Sequence, residues 1–138
     1  MKARNGFVSN SSSSSFVIGI PKGNSLEETL DEYFGIENTK GIIHEMAKAV
    51  VDSFVRNTEE VFEDLPELIS WINRYGRQRE FSEYELQLIE LVKKGFTVYY
   101  GSISDEWDSW DRSVDMWLCY TSVNVDEPGL YIEHEGGY

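Results

Sequence analysis

The hydrophobic pattern changes period late in the chain, and that change constrains the fold more than any other feature. From Leu26 to Val92 apolar residues recur at three- and four-residue spacing, the repeat of helices that bury one face. From Phe96 onward they alternate with polar or small residues, as in Phe96, Val98 and Tyr100, which is the repeat of strands. A strand-like run, Phe16 to Ile20, precedes the first helix. Helices followed by a block of strands form the pattern of an α+β domain.

Capping chemistry marks the helices. Ser25 with Glu28 makes a capping box for a helix to about Phe34, with Leu26, Leu30 and Phe34 on one face. A second helix spans Lys40 to Arg56, with Ile43, Met46, Val50 and Phe54 as its stripe. Thr58 can cap a further turn, where Glu59 and Glu60 favour the positive helix end. Asp64 with Glu67 opens a helix carrying Leu68, Ile69 and Ile72. Ser82 with Glu85 opens the next, whose stripe is Leu86, Ile89 and Val92 and whose stop is Lys93-Lys94-Gly95. Strands are expected at Phe96 to Gly101, Val114 to Val123 and Gly129 to Glu135, the last two separated by the turn Asp126-Glu127-Pro128-Gly129.

A length of 138 residues fits one domain, 1–138, with a serine-rich segment at 1–15 and a short tail at 136–138. The expected fold is an α+β domain with a four-stranded, mainly antiparallel sheet. The N-terminal strand would join a C-terminal three-strand meander, and about four helices would cover one face. No internal repeat is present.

Composition narrows the function classes. Eight Tyr, seven Phe and four Trp rule out a disordered chain. The single cysteine, Cys119, forms no intramolecular disulfide, which suits a reducing, cytoplasmic setting. It is expected as a buried thiol in the Val114 to Val123 strand, sharing a face with Trp117 and Thr121. No run reaches the ~20 apolar residues of a membrane span. The net charge is −13, and residues 1–26 hold Lys2, Arg4 and Lys22 without an acid, so the remainder is more acidic still. Such a surface repels nucleic acid and membranes and attracts a basic partner.

Two segments stand apart. The first is Gly6-Phe7-Val8-Ser9-Asn10, then Ser11 to Ser15, then Phe16. Hydrophobic residues bracket the serines closely, so a structured loop is expected where a serine run alone reads as a linker. Its hydroxyls and backbone N–H groups, at Ser11, Ser12 and Ser13 with Arg4 nearby, could cradle an anion. The segment resembles a signature that opens many small uncharacterised proteins of phages, bacteria and archaea. The resemblance implies a phage or prokaryotic origin, and it carries over no catalytic residue.

The second is the run from Asp105 to Asp115, where Asp105, Glu106, Asp108 and Asp111 surround Trp107 and Trp110. Clustered carboxylates suit hard cations, but the turn glycine and final glutamate of an EF-hand are missing. Exposed tryptophans among acids also suit a protein-binding surface. His134 lies between Glu133 and Glu135, and alternation puts both glutamates on the face opposite the ring. His44 has no second histidine at helical spacing. No residue set is singled out for catalysis, and no cofactor is expected.

The sequence therefore predicts an acidic, non-enzymatic interaction module that binds a basic protein through Asp105, Glu106, Trp107, Asp108, Trp110 and Asp111. DNA mimicry is one form this could take. The alternative is a small enzyme or ligand-binding domain, with the serine loop holding an anion and the acidic loop a divalent cation.

Overall fold

The computed structural model describes residues 13–75, 85–104, 118–119 and 121–135. Five strands form one antiparallel sheet: β1 Ser13–Pro21, β2 Thr58–Phe62, β3 Phe96–Ser104, β4 Ser122–Glu127 and β5 Leu130–Glu135. The helices are α1 Leu26–Tyr33, α2 Gly41–Arg56, α3 Leu65–Tyr75 and α4 Glu85–Lys93. The α+β class expected from the sequence is thus the observed one. Two expected caps form as well: Ser25 Oγ accepts from the Glu28 N–H at 3.3 Å, and Asp64 Oδ1 from the Glu67 N–H at 2.9 Å. No described helix is long and apolar enough to cross a membrane.

The sheet order is β2-β3-β1-β5-β4, which replaces the expected meander. β4 and β5 do form a hairpin, closed by Pro128-Gly129 with Glu127 opposite Leu130. β3, however, pairs with β1 and β2, and two strands, β1 and β5, separate it from β4. The reason is the two-sided apolar character of β1. Phe16, Ile18 and Ile20 point to one face, Val17 to the other, and all four are fully buried. A strand apolar on both faces belongs at the centre of a sheet covered on both sides.

Helices accordingly cover both faces, not one. Against Phe16, Ile18, Ile20 and Ile132 lie Leu30 of α1 and Val51 and Phe54 of α2. Against Val17, Val98 and Tyr100 lie Leu68 and Trp71 of α3 and Leu88, Leu91 and Val92 of α4. Phe16 meets Phe54 edge-on at 5.1 Å between ring centroids, and Trp71 meets Phe62 at 4.9 Å. The expected helical stripes shift in phase. α4 buries Leu88, Leu91 and Val92 and leaves Leu86 exposed, while α2 leaves Ile42, Ile43 and Met46 exposed.

The fifth strand, β2, replaces the helical turn expected at Thr58. Thr58 Oγ1 donates to the Phe54 carbonyl at 2.9 Å and Asn57 N–H to the Ser53 carbonyl at 3.0 Å, so α2 is closed off there. The chain then runs beside β3, with a register shift between Thr58 and Glu60. Phe62 anchors it in the core.

The expected strand over Val114 to Val123 begins only at Ser122. Residues 114–117 and 120 lie outside the described residues, Leu118 is helical and Cys119 lies in the turn that follows. Thr121 N–H bonds back to the Leu118 carbonyl at 3.4 Å. Cys119 is a buried free thiol, as expected, but this turn places it in the core. Its Sγ–H donates to the Ile103 carbonyl at 3.5 Å.

Candidate functional site

Two features of the described residues carry chemistry: a buried serine–histidine pair at one end of the sheet and an acidic edge along β2.

The pair forms because β1 begins among the serines. Ser13, Ser14 and Ser15 are strand residues opposite Ser104, Ile103 and Ser102 of β3, so the last three serines of the run are not loop. Alternation puts Ser14 on the face of Phe16 and Ile18. β5 brings His134 there, in phase with Leu130 and Ile132 and opposite Phe16. Ser14 Oγ and His134 Nε2 share a hydrogen bond of 3.0 Å. Ser14 is 4% exposed and His134 is 0% exposed. The imidazole stands edge-on to Phe54 at 5.5 Å, and Nδ1 has no hydrogen-bond partner. Burial among apolar groups pushes the ring's pKa down to about 4, and the nearby Leu118 carbonyl offsets only part of that.

A serine hydroxyl on a histidine nitrogen is the relation of nucleophile to base. A base that acts near neutral pH needs a pKa near neutrality and contact with its substrate. This ring is closed off from solvent and weakly basic, so the pair joins β1 to β5 as a polar bond within the core. Glu133 projects to the opposite face, where its Oε1 accepts from the Tyr131 hydroxyl at 2.8 Å. The sequence reading that separates His134 from its neighbouring glutamate matches this geometry. His44 caps locally: its Nδ1 lies 3.1 Å from the Ile36 carbonyl and 3.2 Å from Thr39 Oγ1.

The acidic edge is built by β2 and the first turn of α3. Glu59, Glu63, Asp64 and Glu67 are exposed and Glu60 is half-buried, with no Lys or Arg between Asn57 and Asn73. Because β2 is an outer strand, these side chains rim an edge of the sheet. Ser102 Oγ donates to Glu59 Oε2 at 3.4 Å. Asp64 and Glu67 also serve the helix start, Glu67 Oε1 accepting from the Glu63 N–H at 3.3 Å. The negative field reaches the neighbouring strand. Tyr99 has its phenol pKa raised, first by burial and then by the charge on Glu63. Charges and a register shift on an outer strand also guard it against unwanted strand pairing.

Of the residues singled out in the sequence, Asp105, Glu106, Trp107, Asp108, Trp110 and Asp111 lie outside the described residues, as do Arg4, Ser11 and Ser12. Ser13 is the first residue of β1. Its backbone partner, Ser104, is the last residue of β3, so the two singled-out segments join the sheet at the same end. Sequence reasoning missed the acidic edge because Thr58-Glu59-Glu60 has the composition of a helix start. It missed Ser14 because a serine run hides a strand. The usable signal was phase: Ser14 keeps step with Phe16 and Ile18, and His134 with Ile132.

Comparison with known protein families, with curated proteins and with solved structures finds no match for this chain.

Proposed function

We propose that this protein is an acidic interaction module that captures a basic protein partner, and that its N-terminal signature reflects a phage or prokaryotic origin. The observation that carries the reading is the sign of the β2 edge. Five carboxylates from Glu59 to Glu67 border an outer strand, and the chain carries no Lys or Arg between them. Their contribution is long-range attraction, which raises association rates and is screened by salt over a Debye length of ~10 Å at 0.1 M. The acids and tryptophans of Asp105 to Asp111 would add anchoring contacts.

The test uses an oligolysine peptide and two variants with equal charge change. One neutralises Glu59, Glu60, Glu63 and Glu67 to Gln. The other neutralises Glu27, Glu28, Glu32 and Glu37 to Gln. The first variant, on the β2 edge, is expected to lose more affinity than the second, and the difference to shrink at high salt. Equal losses would show that net charge alone attracts the peptide, and that the edge has no special role.

A further inference from the structure

A pocket of about 490 Å³ opens between the C-terminal end of α4 and the β4–β5 hairpin. Its volume lies within the range of small-molecule sites. Leu91, Phe96 and Tyr131 give it an apolar lining. The close fit beneath it depends on Gly19 of β1. A Cβ there would lie 2.9 Å from Phe96 Cδ2 and 3.4 Å from both Leu91 methyls. The Tyr131 hydroxyl is occupied by Glu133, so the ring offers chiefly its apolar surface.

The rim carries both signs of charge. Lys94 stands at the end of α4, and Asp126 and Glu127 stand at the end of β4. All three are exposed, and none of them takes part in the Lys48 ion pairs with Glu27 and Asp31. A purely cationic ligand would meet Lys94, and a purely anionic one would meet two carboxylates. A molecule with an ammonium, a carboxylate and an apolar body satisfies the rim and the lining together. We infer that this pocket binds a small zwitterion with an apolar body, of the class of the aromatic and branched α-amino acids. This inference is independent of the acidic-edge reading.

The probes are L-phenylalanine, phenethylamine, which lacks the carboxylate, and 3-phenylpropanoate, which lacks the amine. Binding is followed by NMR shifts of Leu91, Phe96 and Tyr131. Phenylalanine should saturate these shifts. Each single-charge analogue should bind roughly two- to fivefold more weakly, the span of one exposed ion pair. Lys94→Met should erase the gap between phenylalanine and phenethylamine. The double variant Asp126→Asn with Glu127→Gln should erase the gap between phenylalanine and phenylpropanoate. Unchanged melting temperatures would confirm that both variants are folded. The inference is overturned if phenylalanine gives no saturable shift up to its solubility limit. It is equally overturned if phenethylamine binds as well as phenylalanine and Lys94→Met changes nothing, since the pocket would then be an anchor for cations.

Discussion

At the scale of single residues, the sheet depends on two small groups, Gly101 and Ser14. A Cβ on Gly101 would sit 2.1 Å from the Asn57 carbonyl oxygen and 2.6 Å from Phe16 Cζ. Gly101→Ala must therefore push α2's end away from β3, and overpacking of this kind costs about 1–3 kcal/mol or more. Denaturant unfolding should show the loss as a lower midpoint with an unchanged slope. Ser14→Ala removes the hydroxyl partner of the buried imidazole's Nε2, which costs about 1–3 kcal/mol. The same ring makes stability depend on pH. Folded His134 stays neutral down to about pH 4, whereas the unfolded chain takes the proton near 6.5. Between these values the unfolded state binds more protons, so this contribution is complete above pH 6.5 and is lost as pH falls towards 4. The full loss is on the order of 3 kcal/mol. Urea unfolding from pH 7 down to 5 should show wild type weakening relative to His134→Gln. Parallel curves would mean that the ring titrates normally.

At the scale of elements, most helices were legible because capping residues and apolar spacing are local. Ser25 and Asp64 start α1 and α3 where their side chains predict. Strand order was not legible, because it depends on what covers each face. Phe16 to Ile20 reads as one apolar run, and only the helices on both sides explain why β1 is central. β2 was hidden for a different reason. Its glutamates favour a helix start locally, and the tertiary contact of Phe62 with Trp71 overrides them. Two predictions belong here. Deleting residues 1–15 removes three register pairs of β1 with β3 and the partner of His134, so the melting temperature should fall. A melt identical to the intact chain would make the serines dispensable. Phe62→Ala should cost about 3–5 kcal/mol, with hydrogen exchange rising first along β2 and its neighbours in β3. Uniform protection across the sheet would show that β2 is not held by this anchor.

At the scale of the whole molecule, the sign of the charge was legible and its arrangement was not. Composition alone predicts an acidic surface, since charge adds along a chain irrespective of fold. Which carboxylates share an edge depends on β2 being a strand, and that is a tertiary outcome. The account therefore rests on whether a basic chain recognises this edge in particular. An NMR titration of the isotopically labelled protein with oligolysine tests it most directly. The account predicts saturable amide shifts concentrated from Glu59 to Glu67, fading as salt is raised. Shifts spread evenly over the exposed acids of α1, α2 and β2, or none that saturate, would contradict it.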